Sequence, residues 1–388
     1  MKAFETYIPT KLIFGAGSLI RLGSTVAEYG QKALIVTTGD DMKKFGILEK
    51  ALMSLEQSGI DAVLFSDVEV NPKTYNVDAG VKVFNENSCD VAIGLGGGSA
   101  MDAAKAIAMV AMNGGSTMDY MPGNPRASEN ITRTFPVICV TTTAGTGSEA
   151  TYFSVITNPI THEKPGIGTP CMMPAVSFID PELMLSLPKG ITAQTGVDVF
   201  FHAMEAFLNQ HTTPYSDMVS LEAMQVVVKN LPLVLDRLDN LEARSQMAWA
   251  NTLGGIAIVL SATCGLHAMG HSISGVTDIA HGRALSSVAP TFMEYTYKAD
   301  ISRYATVARM LGADHALSDE SAARQSGSLL RKFLLQCGME VNLFDAGIRP
   351  EDIPTIVSVS CSSMYFCMQA TLLPLNGEDI ERILQTAQ

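Results

Sequence analysis

From residue 30 to 185 the chain alternates short apolar runs with stretches of helical period. Residues 33–37, 62–65, 91–95 and 137–140 are near-continuous apolar runs, the composition of strands covered on both faces. Residues 43–58 and 74–87 repeat their apolar positions at the 3.6-residue period of crossover helices. This alternation predicts an α/β domain, a parallel sheet with helices on its faces. Beyond residue 190 the strand signals stop. Helical patterns rich in Ala, Met and Leu occupy 215–229, 242–260, 318–336 and 350–372, which predicts an all-α domain. Pro181 and Pro188, with a Leu-Ser-Leu step between them, break the pattern, so the domains are placed at 1–185 and 186–388. No internal repeat or low-complexity stretch is present.

Composition fits that division. The 388 residues are 47% hydrophobic and 17% charged, enough for two well-cored domains. A formal net charge of −13 argues against nucleic acid and anionic membrane surfaces as partners. The seven cysteines show no C-x-x-C spacing, which points to free thiols in a reducing cytoplasm. M-K-A-F-E-T-Y-I-P at the N-terminus carries no apolar signal region. The apolar window 91–112 is interrupted by Asp102, Lys105 and four glycines, so no membrane span is expected there. The expected protein is cytoplasmic, a homodimer or higher homo-oligomer.

Candidate chemistry concentrates in the helical half. Asp198 and His202 stand four residues apart in V-D-V-F-F-H-A-M-E-A, so carboxylate and imidazole share one helix face. His267 and His271 repeat that spacing in G-L-H-A-M-G-H, and His281 follows. One carboxylate among several imidazoles suits Fe²⁺ or Zn²⁺ and is too nitrogen-rich for Mg²⁺ or Ca²⁺. Four of the chain's seven histidines lie in this cluster, more than hydrogen-bonded core histidines explain. Two helices would carry the set, with no separate metal loop.

The α/β half offers two polar loops. D-V-A-I-G-L runs into G-G-G-S at 96–99 and then a helical stretch. Ser99 is the expected N-cap, with Asp102 as its capping-box acid. Glycines there allow close approach of a phosphate, and the helix start presents backbone N–H groups. Neither G-x-G-x-x-G nor the P-loop pattern is matched. A second loop, T-T-T-A-G-T-G-S-E at 141–149, follows the next strand. Loops at the carboxyl ends of parallel strands line the crevice where cofactors sit in open α/β sheets.

On these motifs, and on Y-I-P-T-K-L-I-F-G-A-G at 7–17 and P-L-N-G-E-D-I-E-R-I-L near the end, the chain resembles the iron-containing (group III) alcohol dehydrogenase family over nearly its whole length. The resemblance implies a Rossmann-like dinucleotide-binding domain followed by an all-helical metal-binding domain, the dehydroquinate synthase-like architecture. It implies that Gly97, Gly98, Ser99 and Asp102 line the pyrophosphate. Thr142, Thr143 and Thr146 would contact the cofactor, with Asn71 and Lys164 nearby. Its metal ligands fall on Asp198, His202, His267 and His281, and its additional active-site histidine on His271, in a proton-relay or a supporting structural role. The chain departs from the family pattern at Thr141 and Ala280, where the family has proline; Ala280 is expected to alter the loop and keep the ligand. NAD-preferring members tend to carry an Asp after the second strand, where this chain has Thr38 or Gly39. Asp40 could serve NAD, whereas Lys43 or Lys44 could favour NADP. The implied activity is metal-dependent, NAD(P)-linked hydride transfer between a small alcohol or diol and nicotinamide, with Fe²⁺ or Zn²⁺. Two alternatives are a lyase of the 3-dehydroquinate synthase kind, which uses NAD transiently, and a non-catalytic nucleotide- or metal-binding protein. The lyase needs clustered Lys, Arg and Asn for its anionic substrate, and the helical half has few Lys and Arg near the metal residues.

Overall fold

The computed structural model describes residues 3–124, 126, 127, 129 and 131–388. Internal packing divides the chain into two units. The first comprises Tyr7–Thr161 and Pro165–Leu187. The second comprises the N-terminal residues up to Thr6, His162–Lys164 and Pro188–Gln388.

Six strands build the sheet of the first unit: β1 (Lys11–Phe14), β2 (Lys32–Val36), β3 (Asp61–Phe65), β4 (Val91–Gly96), β5 (Val137–Thr141) and β8 (Val176–Ile179). A short antiparallel pair, β6 (Ser154–Val155) and β7 (Gly166–Ile167), stands apart from it. The sheet order is β1-β8-β5-β4-β2-β3, and every neighbouring pair is parallel. Helices α1 (Ile47–Gln57), α2 (Thr74–Glu86) and α3 (Gly98–Asn113) connect successive strands. Side chains alternate across the sheet. Leu34, Val36 and Ala92 enter one core with Phe65, Val77 and Phe84, while Ala33, Ile35, Val91 and Ile93 enter the opposite core with Leu22 and Leu55. Both faces are therefore apolar, and the strands read as continuous hydrophobic runs. The chain runs outward from β2 to β3, then crosses back to β4 on the other side of β2. That reversal makes the carboxyl ends of β2 and β4 the switch point of the sheet.

Strands β2, β4 and β5 lie within a residue of their expected limits. Strand β3 does not have the burial its sequence suggests. Asp61, Ala62 and Leu64 are exposed and only Phe65 is buried, because β3 is an edge strand. Strands β1 and β8 escaped the sequence pattern, each having only four residues. The helix expected over 43–58 divides at Gly46, whose φ of 69° is left-handed, into Asp41–Lys44 and α1. The pattern over 318–336 divides at Gln325, and that over 350–372 at Met364.

The second unit is helical. Its principal elements are α4 (Lys189–Phe207), α5 (Pro214–Asp236), α6 (Leu241–Ser261), α7 (Gly265–Thr277) and α8 (His281–Thr296). Helix α4 is buried continuously from Gly196 to Phe207, so its polar residues there must be satisfied inside the protein. Helix α5 packs against α4 and α6. It is long and apolar enough, by composition, to cross a membrane, and 56% of its apolar window is buried by this packing. Asp278 ends α7 in the left-handed conformation, with φ 56°, and α8 starts three residues later at His281. A β-carbon on Gly282 would lie 2.3 Å from the Gln194 carbonyl oxygen. Only glycine lets the start of α8 approach α4 so closely.

Candidate metal centre

Three helices, not two, bring the candidate ligands together. Asp198 and His202 lie on α4, His267 and His271 on α7, and His281 is the first residue of α8. Asp198 Oδ1 is 3.6 Å from His267 Nε2, 3.9 Å from His281 Nε2 and 4.0 Å from His202 Nδ1. The His202 and His267 rings stack at 4.6 Å between centroids, and His281 meets His267 edge-on at 5.2 Å. These separations are too long for hydrogen bonds. They suit atoms sharing one ion, since bonds of about 2.0–2.2 Å at tetrahedral angles separate ligands by about 3.4 Å.

Buried polar atoms without partners supply a test of fit. Asp198 Oδ1 and His267 Nε2, which face each other, are buried without a hydrogen-bond partner, as is His281 Nδ1, the nitrogen opposite the one nearest Asp198. Such groups are expensive in a protein interior, and a facing carboxylate oxygen and imidazole nitrogen require a shared partner. A cation answers both, and the oxygen–imidazole donor set fits iron or zinc. His271 completes a second close group with His267 and His281, so five side chains rather than four converge. Its Nδ1 lies 2.6 Å from the Lys164 carbonyl oxygen, which turns Nε2 toward the cluster. Ala280 has φ −59°, the value a proline would impose, and His281 keeps its place in the cluster.

Electrostatics divides the rings. Burial, together with the Lys164 ammonium and the neighbouring imidazoles, holds His271 and His281 well below the ordinary histidine range, so both are neutral near pH 7. Burial pulls His267 down as well, but the Glu205 and Asp198 carboxylates outweigh it and lift the ring to about 9. Glu205 was absent from the candidates read from the sequence. It lies three residues after His202 in H-A-M-E-A, and that helical spacing was the available signal. It is fully buried, and one oxygen contacts His267 Nδ1.

In the α/β unit the loops expected to hold the cofactor pack on each other at the carboxyl edge of the sheet. Thr142 N donates to Gly96 O at 2.9 Å. A β-carbon on Gly98 would lie 2.5 Å from Thr146 Cγ2, and one on Gly97 would lie 3.1 Å from Thr143 Oγ1. The N-cap of α3 is Gly97, not Ser99, because Gly97 takes the extended backbone of a cap and the helix starts at Gly98. No side chain caps this helix start, and backbone donors there suit an anion.

Asp102 is not a capping-box acid. Its carboxylate accepts from Ser148 Oγ at 2.6 Å and Val155 N at 3.0 Å, and Lys105 Nζ lies 3.2 Å away. Buried Lys105 also donates to the carbonyls of Ser148 and Thr151 and contacts that of Phe153. This pair anchors 148–155 from behind, a role the motif did not disclose. Asn71 follows β3 in the left-handed conformation, with φ 58°, and the next residue's carbonyl accepts from Thr157 N at 2.8 Å. Lys164, expected beside the cofactor, belongs by packing to the helical unit, where its carbonyl holds His271.

Comparison with known proteins agrees over both halves. Residues 9–181 match the family model described as iron-containing alcohol dehydrogenase, and residues 192–388 match that of the family's C-terminal region. The NAD-dependent methanol dehydrogenase of Bacillus methanolicus is 30% identical, the alignment covering 98% of this chain and 99% of that one. The 1,3-propanediol dehydrogenase of Citrobacter freundii is 32% identical over 92% of each chain. A crystal structure of an archaeal halo-thermophilic alcohol dehydrogenase from a Red Sea brine pool superposes with a TM-score of 0.96 at 34% identity, covering all of both chains. Matched by family models on both sides of residue 185 and aligned with these relatives almost from end to end, the chain belongs to the iron-containing alcohol dehydrogenase family and is an oxidoreductase of that kind.

Proposed function

We propose that the protein reversibly transfers hydride between a small primary alcohol or diol, or the corresponding aldehyde, and NAD, with Fe²⁺ as its resident metal. The convergence of Asp198 Oδ1 with the imidazoles of His202, His267 and His281 carries this proposal. Ferrous iron held by those four residues would supply Lewis acidity that favours negative charge on the substrate oxygen, worth several kcal/mol on the order usual for metal catalysis. His271 holds its Nδ1 against the Lys164 carbonyl and offers Nε2 for the proton that leaves or returns to the substrate hydroxyl. Gly97, Gly98 and Ser99 receive the pyrophosphate at the start of α3, and Thr142, Thr143 and Thr146 border it from the second loop.

NAD is favoured over NADP by the cofactor dependence of relatives such as the NAD-dependent methanol dehydrogenase and the NADH-dependent butanol dehydrogenases of Clostridium acetobutylicum. The name of the family favours iron over zinc. Seven unpaired thiols favour a reducing, cytoplasmic setting. Initial rates of NADH and NADPH oxidation with short aldehydes and hydroxyaldehydes, alongside elemental analysis, test the proposal. Aldehyde-dependent NADH oxidation that is lost on chelation and restored by Fe²⁺ is expected. No turnover across the panel in iron-loaded protein would reject it.

A further inference from the structure

We propose that Glu205 is the positioning residue of the metal centre, holding the His267 ring with Nδ1 protonated and the Nε2 lone pair aimed at Asp198. The inference rests on the metal assignment proposed above. Glu205 lies on α4 with Asp198 and His202, at the seventh residue after Asp198, and is fully buried. Its two oxygens divide the work. Oε1 accepts the backbone N–H of Cys264 at 2.9 Å and of His267 at 3.0 Å, at the first turn of α7. Oε2 contacts His267 Nδ1. The other nitrogen of that ring, Nε2, is the buried atom without a partner, 3.6 Å from Asp198 Oδ1.

An acceptor-only carboxylate against Nδ1 forces that nitrogen to carry its hydrogen, which leaves Nε2 as the ligand atom. The same side chain also fixes where α7 starts, since it accepts both amides there. Ring direction and helix position are thus set by one residue from the helix that carries two other ligands.

A glutamine at 205 separates this role from mere helix capping. Its amide oxygen can keep both backbone N–H bonds, but its NH₂ then faces His267 Nδ1 as a donor. The favoured ring tautomer becomes the one with hydrogen on Nε2, which cannot ligate. Turning the amide over instead points NH₂ at two backbone donors. No orientation of glutamine keeps both backbone bonds and a hydrogen on His267 Nδ1, although the side chain is isosteric.

The experiment compares metal-free wild type, E205Q and T371V. Thr371 Oγ1 accepts the Gly265 amide at 2.9 Å, so T371V removes another bond at the same helix start without touching His267. Each protein is titrated with Co²⁺ alone, read by d–d absorbance and chelator competition, and the metal-free forms are melted. E205Q is expected to bind Co²⁺ about 10- to 100-fold more weakly, the range for loss of an outer-shell partner. Its metal-free form should still melt cooperatively, so that the weaker binding is not loss of fold. T371V should melt earlier and bind Co²⁺ as wild type does. Wild-type affinity in E205Q would overturn the positioning role, as would an equal loss in T371V. A wild-type protein that binds no Co²⁺ would instead reject the metal assignment beneath it. Should E205Q fail to accumulate folded, E205D reads the same quantity: it keeps the charge, withdraws the oxygens by one methylene, and should also bind more weakly. Unchanged affinity there overturns the proposal.

Discussion

Replacing Lys105 with methionine tests the anchor behind the second cofactor loop. Lys105 is fully buried, and its ammonium lies 3.1 Å from Ser148 O, 3.2 Å from Thr151 O and 3.2 Å from Asp102 Oδ1. Methionine preserves most of the volume and deletes every one of those bonds. The Asp102 carboxylate then remains buried without its cation, and breaking a buried pair on one side typically removes 3–5 kcal/mol. Ser148 Oγ and Val155 N still donate to Asp102, which puts the expected loss near the low end, at about 3 kcal/mol. For a unit of this size each kcal/mol moves the melting point by about 2–4 °C, so a fall of about 6–12 °C is expected by calorimetry on the metal-free protein. The double variant D102N/K105M removes the stranded charge and should recover part of that fall. Cofactor affinity should also drop, because residues 148–153 lose their tether, while Co²⁺ affinity in the helical unit stays unchanged. A K105M protein melting within about 1 °C of wild type would refute the energetic reasoning, since buried-pair disruption predicts a far larger effect.

Other perturbations probe the remaining parts. Purified protein loaded with Fe²⁺ should hold one ion per chain by elemental analysis. His267→Ala should lose that ion while keeping its circular dichroism spectrum; a full metal complement in the variant would contradict the ligand set. Gly98→Val should raise the NADH dissociation constant by at least about tenfold without changing metal content, because its β-carbon would sit 2.5 Å from Thr146 Cγ2 and cover the backbone at the helix start. Unchanged affinity by fluorescence titration would put the phosphate elsewhere. Ala280→Pro should stabilise the protein by about 0.4–1 kcal/mol, since φ is already −59° and, among the described residues, none accepts a hydrogen bond from the Ala280 amide. A lower melting temperature would show that the preceding residue cannot accommodate proline.

The fold was legible where burial is symmetrical. Strands β2, β4 and β5 sit inside the sheet with both faces covered, so their apolar runs are long and unbroken. The sequence of β3 looks the same, yet it is an edge strand with Leu64 exposed, because periodicity reports apolar content and not the presence of a neighbour. Strands β1 and β8 pair with each other across a separation in sequence that no local pattern encodes. Helix breaks at Gly46 and Met364 were hidden because apolar spacing continues across them, and only the backbone turn at each point interrupts the helix.

At the metal centre, legibility depended on the kind of residue. Histidines are scarce, and a cluster of them at helical spacing stands out against a mostly apolar background. Glu205 and Asp102 do not stand out, because a glutamate or aspartate in a helical stretch is ordinarily a solvated surface residue. Their burial is a tertiary fact. Glu205 is covered because α7 begins against α4, and Asp102 because residues 148–155 fold back over α3. In both cases backbone amides and a cation or imidazole supply to the buried carboxylate what water would have supplied. Both of these acids are therefore tied to a segment distant in sequence, 59 residues away for Glu205 and Cys264 and 46 for Asp102 and Ser148. Ligand types show in the sequence because the metal selects them by chemistry. The acids that hold the ligand and loop segments in place are selected by where the chain returns, which no local spacing records.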